Sequence, residues 1–367
     1  MSLRILALVT DAYGAGGGIA QYNRDLLAAL SASDSVGEVI ALPRNGCADS
    51  LALPAKVEQA AAVPERIRFA LNALKAAMTK GNIDAVFCGH LYMAPLAALI
   101  SKLTGAPLWL QLHGIEAWRR PTLSQRWAAE QSQLVTAVSR HTRRLFLGWA
   151  NCKSEAVKVL PNTVEERFTP GPKPEALLER YQLRGRKVLL TVSRLAAAER
   201  YKGHDRVIGA VAELKATHPE IVYLVAGDGD DLPRLKQRAD ELGVSEQVRF
   251  IGYVTDEELP DLYRAADVFV MPSTGEGFGI VFLQALASGL PVIGGDSDGS
   301  RDPLRDGYDG RMVGVEQTDA LVKAIDEIIR FDRTPNGSGH GFSRQYFQDL
   351  VARLAVNYFH LTAQNRT

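Results

Sequence analysis

Arg194 and Lys202 offer the first chemical reading of this 367-residue chain. Arg194 follows an apolar run that closes at Val192-Ser193, and Lys202 stands just ahead of Gly203-His204. Two cations at the end of one strand and in the loop beyond it suit a diphosphate. Arg presents a planar fork and Lys a point charge, and each charge-assisted bond contributes about 1.5–3 kcal/mol net. Solvated surface charge explains the same pair.

The stretch Met271-Pro-Ser-Thr-Gly-Glu276-Gly-Phe278-Gly279-Ile280-Val281-Phe-Leu-Gln284 is the more specific signal. It reads as a strand ending at Met271, a glycine-rich turn, and a helix opening near Gly279. The free N–H groups of Gly279, Ile280 and Val281 would face an anion, aided by the helix dipole. Glu276 and Gln284 would reach different parts of one ligand, and Ser288-Gly289-Leu290-Pro291 closes the helix. An ordinary strand–turn–helix with a capping Glu is the alternative.

Near the start, Gly14-Ala-Gly16-Gly17-Gly18 follows the first apolar run and precedes a helix. Glycines there let backbone N–H groups approach an anion at a helix N-terminus, or simply make a tight turn. A nicotinamide fingerprint needs GxGxxG and an acidic residue about 20 positions on. The spacing differs, and the second strand, Val39-Ile-Ala-Leu42, carries no acid, which argues against a nicotinamide oxidoreductase. His90 and His113 sit at expected strand ends, where either a cleft role or a structural one fits; His113-Gly114 is the better cleft candidate. No HExxH, CxxC or DxD set has ligand geometry, and Asp228-Gly-Asp-Asp231 reads as a solvated turn. A site needing no metal and no cofactor follows, with Arg194 and Lys202 supplying the positive charge.

Short apolar runs alternate with amphipathic stretches throughout, the mark of βα units and parallel sheets. Strands are expected at Arg4–Thr10, Ala85–Cys88, Leu108–Leu112 and Leu134–Ala137, with helices at Gln21–Leu30 and Pro64–Lys80. The latter shows Ile67, Leu71, Leu74 and Met78 on one face. The proline-rich Phe168–Pro174 stretch marks a boundary, after which strands are expected at Lys187–Val192, Ile221–Ala226, Val248–Phe250, Val268–Met271 and Pro291–Ile293. The fold class is therefore α/β, with two Rossmann-like doubly wound domains facing across a cleft: residues 1–164, and residues 165–344. The amphipathic stretch Ser343–Gln364 has no strand after it, and a closing helix over 345–367 would pack back on the first domain.

Composition is that of a globular chain, with 46% apolar and 23% charged residues. Three cysteines, Cys47, Cys88 and Cys152, lack metal spacing and point to reduced thiols. No export signal or membrane span is read, so a cytoplasmic location is expected. Net charge is zero, yet residues 1–164 carry 17 Lys and Arg against 11 Asp and Glu. An anionic partner such as a lipid phosphate or the inner membrane surface fits that excess. Arg119, Arg120, Arg126, Arg140, Arg143 and Arg144, with Trp118, Trp127 and Trp149, are its candidate residues, and His90 joins Arg119 and Arg120 as an acceptor contact. Solvated helix faces and core tryptophans explain them equally, and no nucleic-acid partner is indicated.

Taken in order, these motifs resemble the family 4 retaining glycosyltransferases of the GT-B type. The resemblance runs from Gly17-Gly18 and His113-Gly114 through Pro161-Asn162-Thr163-Val164 and Ser193-Arg194. It continues over Lys202-Gly203, Gly227-Asp228-Gly229, Phe250-Ile-Gly-Tyr-Val254 and Glu276-Gly-Phe-Gly. It implies a hexosyltransferase of cell-surface polysaccharide synthesis that draws on a nucleoside-diphosphate sugar, with a mild lean to mannose from GDP-mannose. The acceptor would be a lipid-linked or glycan hydroxyl. It also implies a catalytic set of Glu276, His113, Arg194 and Lys202. Donor contacts would add Gly17, Gly18, Val254, Phe278, Gly279, Ile280, Val281 and Gln284, with Glu276 on the sugar hydroxyls and residue 284 on the ribose. The family places a second Glu where this chain has Gln284. An amide accepts one bond and donates one where a carboxylate accepts two, a loss of roughly 1 kcal/mol or about fivefold in affinity. That departure leaves a non-catalytic or weakened partner subunit as a rival reading, beside a nucleotide-sugar epimerase on the same fold.

Overall fold

The computed structural model describes residues 2–14, 16–46, 52–314, 318–330 and 342–360. Cys47 and the end of the expected closing helix beyond residue 360 lie outside the described residues. The chain divides into two compact units: one runs to Thr163 and takes up the chain again from Phe342, and the other spans Val164–Gly341.

In the first unit the strands are β1 (Leu3–Val9), β2 (Val36–Pro43), β3 (Val57–Gln59), β4 (Ala85–Cys88), β5 (Leu108–Leu112), β6 (Leu134–Ala137) and β7 (Val157–Val159). All pair in parallel in the order β3-β2-β1-β4-β5-β6-β7. The helices are α1 (Gly18–Ala32), α2 (Arg66–Thr79), α3 (Ala94–Thr104), α4 (Ile115–Trp118), α5 (Leu123–Glu130) and α6 (Arg140–Leu147). The second unit has α7 (Glu175–Arg180), β8 (Lys187–Val192), α8 (His204–Leu214), β9 (Ile221–Ala226), α9 (Leu232–Glu241), β10 (Val248–Gly252) and α10 (Leu259–Ala265). It continues with β11 (Val268–Met271), α11 (Ile280–Ala287), β12 (Val292–Gly295), β13 (Arg311–Val313) and α12 (Thr318–Ile329). Its sheet order is β10-β9-β8-β11-β12-β13, again parallel.

The inner strands read as near-continuous apolar runs because helices cover both faces of each sheet. In β8, Val188 and Leu190 belong to a core with α10 and α11, whereas Leu189 faces a core with α8 and α12. Strand order reverses between β1 and β4 in one sheet and between β8 and β11 in the other. Loops leaving such neighbouring strands in opposite senses open a crevice at their carboxyl ends. Arg194 follows β8 and Glu276 follows β11, so the topology delivers both to one crevice.

The last helix, α13 (Arg344–Ala355), packs on α1. Phe347 is buried edge-on to Tyr22 with ring centroids 5.8 Å apart, and Arg344 pairs with Asp25 at 3.2 Å.

Helix α2 corrects one expectation. Of the face read from sequence, Ile67, Leu71 and Met78 point outward at 78, 62 and 69% exposure and only Leu74 packs against the core, where Phe69, Ala73 and Ala77 are buried. The helix is apolar on two faces, and its small alanines let the backbone lie close to neighbouring elements. Periodicity alone cannot choose between two such faces.

Candidate active site

The site in the second unit starts from a buried hydrogen-bonded chain beneath Arg194. Tyr223 Oη donates to Thr191 Oγ1 at 2.9 Å, so it accepts from Nδ1 of His204, also at 2.9 Å. His204 Nε2 is then the acceptor for Ser193 Oγ at 2.8 Å. Burial, aided by the Lys202 charge, pushes His204 down to about 4, so the imidazole is neutral at physiological pH and this relay is intact. It pins Ser193, and with it the backbone leading into Arg194, to the floor of the sheet.

From that floor the chain makes a short turn, Ala197–Lys202, that ends at Gly203. Gly203 has φ +83°, and a Cβ there would stand 2.7 Å from the Pro272 carbonyl oxygen. Glycine thus lets this turn press against the β11–α11 turn, where Thr274 N–H donates to Tyr201 O at 2.9 Å. The close approach brings four charged groups together. The Arg194 guanidinium pairs with the Glu199 carboxylate. Lys202 Nζ lies 3.1 Å from Glu199 Oε2 and 3.7 Å from Glu276 Oε1. Arg194 is 79% exposed at its side chain, against 12% for Lys202 and 13% for Glu199. Burial raises the Glu276 carboxyl above its ordinary range, opposed by Lys202 and reinforced by Asp298 and Glu199. Glu199 escaped the sequence reading, although its spacing of one helical turn before Lys202 was a usable signal.

A second carboxylate that sequence reading missed holds the Glu276 turn. Asp298, fully buried after β12, accepts from Glu276 N–H at 2.7 Å and Ser273 Oγ at 2.8 Å. Its other oxygen takes Ser300 N–H at 3.0 Å and Ser300 Oγ at 2.5 Å. The Ser-Asp-Gly-Ser run after an apolar strand was the available signal for a capping Asp. Helix α11 begins at Ile280 with Gly279 as its N-cap at φ +83° and no side-chain cap. The first N–H groups of the helix therefore have no partner within the helix itself.

The remaining candidates of this unit sit deeper. Gln284 is 9% exposed, and its Oε1 accepts from Tyr263 Oη at 2.9 Å. Its amide oxygen is thus engaged by the protein, and its NH2 is the group left to meet a ligand. Phe278 and Val254 are buried, Val254 within the apolar core beside α10. At the neighbouring β10 end, Gly227 N–H donates to Gly252 O at 2.7 Å.

In the first unit, Gly17 caps α1 at φ +96° without a side-chain bond, and a Cβ on Gly16 or Gly17 would meet nothing within 4 Å. His113 ends β5. Its Nε2 is 2.9 Å from the Gly89 carbonyl oxygen, which places the ring proton on Nε2, and its backbone N–H donates to Glu116 Oε1 at 2.5 Å. Burial lowers His113 to about 4. His90 stacks on it at 6.1 Å and accepts from Tyr92 N–H at 3.2 Å through Nδ1. The topology thus gathers Gly17, His90 and His113 at the carboxyl ends of β1, β4 and β5.

The basic and aromatic set of this unit divides. Trp149 is a core residue donating to Ala117 O, Trp118 donates to Thr142, and Arg143 binds the carbonyls of Val157 and Ser154. Arg126 pairs with Glu130 at 2.9 Å. Arg119 and Arg120 are exposed, as is Trp127, over whose ring Lys102 Nζ sits at 4.6 Å. Among the described residues no group of three or more His, Cys, Asp or Glu is placed to hold a metal ion. Among them too, no helix is long and apolar enough to cross a membrane. Cys88 and Cys152 are free thiols, and burial pushes Cys88 up to about 12.

Paired cations beside a part-buried carboxylate and an open helix end are groups able to meet an anion. The family profile described as Glycosyl transferases group 1 matches residues 177–336, and that described as Glycosyltransferase Family 4 matches residues 16–168. The chain is 34% identical over 282 residues to a GDP-mannose-dependent alpha-(1-6)-phosphatidylinositol monomannoside mannosyltransferase of Mycolicibacterium smegmatis, covering 72% of each chain.

The chain belongs to glycosyltransferase family 4.

A phosphatidyl-myo-inositol mannosyltransferase of the same organism is 35% identical over 186 residues, 50% of this chain and 45% of that protein. The crystal structure of Anabaena Alr3699/HepE in complex with UDP superposes with a TM-score of 0.71 at 21% identity, covering 97% of this chain and 96% of that one. The lipopolysaccharide outer core galactosyltransferase WaaB, in its apo form, gives a TM-score of 0.73 at 18% identity over 97% of this chain and 99% of that one. These likenesses establish the two-unit GT-B fold, and the chain is a glycosyltransferase.

Within this glycosyltransferase the electrostatic design is legible. Arg194 pairs with Glu199, and Lys202 lies between Glu199 and Glu276, so both cations are matched by carboxylates. Glu276 is fixed by its main chain to Asp298, while the cations are fixed through the β8 relay and the Gly203 turn. Separate bonds thus anchor the two halves of the cluster, which meet where Thr274 N–H donates to Tyr201 O and Lys202 faces Glu276.

Proposed function

We propose that this enzyme transfers mannose from GDP-mannose to a hydroxyl of a lipid-linked or glycan acceptor, with retention at the anomeric carbon and without a metal ion. The observation that carries the reading is the meeting of Arg194, Lys202 and Glu276 at the strand-order reversal of the second sheet, next to the Gly279 end of α11. Relatives named as GDP-mannose-dependent enzymes support the choice of donor.

In this reading, departure of the leaving diphosphate sets the barrier. Arg194, Lys202 and the N–H groups at Gly279, Ile280 and Val281 stabilise the negative charge that develops on the β-phosphate. Glu276 holds the sugar hydroxyls, Phe278 backs the turn that carries it, and Val254 supports the donor site from within the apolar core. Gln284 meets the ribose through its amide. Retention is assigned to attack on the same face without a covalent intermediate. In the first unit the same reading gives His113 a catalytic role as a neutral imidazole and Gly17 and Gly18 a donor role. It gives His90, Arg119 and Arg120 to the acceptor.

The protein is assigned to the cytoplasm, in peripheral contact with the inner membrane face. Support comes from α2, whose outward face carries Ile67, Leu71 and Met78 beside Arg68 and Lys75, with no acidic residue in the helix.

The test is a screen of UDP-, GDP- and ADP-sugars by calorimetry and product release, on wild type, Arg194→Ala and Glu276→Ala. GDP-mannose is expected to be the turned-over donor. Arg194→Ala should weaken GDP by about ten- to a hundredfold, and Glu276→Ala should lose turnover while still binding GDP. Unaltered GDP affinity in Arg194→Ala sinks the phosphate assignment, and turnover of another sugar nucleotide in preference to GDP-mannose sinks the donor.

A further inference from the structure

Glu199 has no part in the mechanism above, yet it is the group that Arg194 and Lys202 both touch. Its side chain is 13% exposed, as deeply placed as Lys202 at 12%. Its position is built rather than incidental. The turn that carries it is tied down before it by Ala197 N–H to Asp230 Oδ1 at 2.7 Å and after it by Thr274 N–H to Tyr201 O at 2.9 Å. Between those anchors the backbone leaves helical geometry at Glu199 itself, with φ −114° and ψ 25°.

The charge balance gives this placement a meaning. Both cations of the cluster are already paired with carboxylates, and the buried Asp298 adds a further negative charge behind Glu276, so an incoming anion must compete for them. A nucleoside diphosphate brings two or more negative charges, and its oxygens need the same cations that Glu199 now pairs with, Arg194 through a hydrogen bond and Lys202 through an ion pair. Lys202 already faces two carboxylates, so a diphosphate added at close range would be repelled by Glu199 and would compete with it for the same cations. Arg194, exposed over most of its length, is free to follow an incoming phosphate.

We propose that Glu199 is an affinity-setting residue of the donor site: its carboxylate occupies the phosphate positions on Arg194 and Lys202, and the donor diphosphate displaces it. The inference rests on the assignment of those two cations to the diphosphate. It explains how a mostly buried lysine is kept compensated before the donor arrives. It also gives the site a built-in opposition to holding the nucleoside diphosphate product.

Glu199→Gln tests it, because the amide keeps the shape and removes the charge. Binding of UDP, GDP and ADP is measured by calorimetry on the full chain at low and high salt, for wild type, Glu199→Gln and Arg194→Ala, with guanosine as the phosphate-free probe. The nucleoside diphosphate that wild type binds best is expected to bind Glu199→Gln roughly tenfold tighter at low salt. The gain should shrink at high salt, and guanosine should be unchanged. Equal or weaker binding by a folded Glu199→Gln overturns the inference, and identifies Glu199 as a residue that holds the cations in place. If that happens while Arg194→Ala still weakens binding, the donor-site reading stands and only the role of Glu199 fails. No binding by wild type, or binding indifferent to Arg194→Ala, removes both. Should Glu199→Gln not fold, a crystal structure of the wild-type complex decides: the Glu199 carboxylate is expected beyond 4 Å from Lys202 Nζ, and a retained pair refutes displacement.

Discussion

Asp298→Asn separates the two networks that position the cluster. The buried Asp298 carboxylate accepts four bonds, two on each oxygen. Replacing one oxygen by NH2 sets a donor against a donor on whichever side it falls. Ser273 can adapt by turning its hydroxyl, because its oxygen already accepts Gly275 N–H at 3.2 Å. Ser300 Oγ can likewise leave its bond to Asp298 for the one it makes to Gly295 O at 2.9 Å. The backbone N–H of Glu276 or of Ser300 cannot turn, so one of them is left unsatisfied in a buried place. That costs about 1–3 kcal/mol, and the Glu276 turn loosens with it. If the whole cost falls on the transition state, kcat/KM for GDP-mannose drops between about fivefold and 150-fold. Because Arg194 and Lys202 are also held by the β8 relay, GDP affinity should fall by less than turnover does. The assay pairs steady-state mannosyl transfer with calorimetric GDP titration. A variant with wild-type kcat and a lowered melting temperature would show that Asp298 only stabilises the fold. A loss of GDP affinity as large as the loss of turnover would show that the two networks are one.

Two further outcomes follow from the same geometry. His204 is held down to about 4, below its ordinary 6.5, so the folded state resists its protonation. Its contribution to stability is full above pH 6.5 and is lost as pH falls toward 4, with a slope of up to ~1.4 kcal/mol per pH unit. Lowering the pH from 7 to 5 should therefore reduce the unfolding free energy of wild type by roughly 2 kcal/mol more than that of His204→Gln, and parallel pH profiles from urea or thermal unfolding would refute the buried neutral relay. Gln284→Glu gives Tyr263 a carboxylate to donate to and leaves a second oxygen for the ribose hydroxyls. Affinity for GDP is expected to rise about fivefold, measured against guanine nucleotides lacking both ribose hydroxyls; a gain that persists without them would rule out the ribose contact.

The strands were the most legible part of this protein. Ala85–Cys88, Leu108–Leu112, Lys187–Val192, Ile221–Ala226 and Val268–Met271 stand where the apolar runs place them, because a strand covered on both faces must be apolar along its whole length. The short β3, β7 and β13 were not read, since three residues at a sheet edge carry too little pattern. Helix α2 was read with the wrong face inward, because Ile67, Leu71 and Met78 form as good a stripe as Phe69, Ala73 and Ala77. Trp149 and Arg143 resembled a binding patch in composition, but their polar atoms serve backbone carbonyls.

What the sequence determined by itself was the alternation of strand and helix and the set of residue types able to hold an anion. Local propensity and hydrophobic period act over a few residues and survive into the fold. Only the tertiary structure decided that Lys202 lies between Glu199 and Glu276, that Asp298 ties down the Glu276 turn, and that Tyr263 holds Gln284. Those pairs join separate loops and helices, brought together by the strand-order reversal and by a close approach at Gly203 that no local pattern encodes.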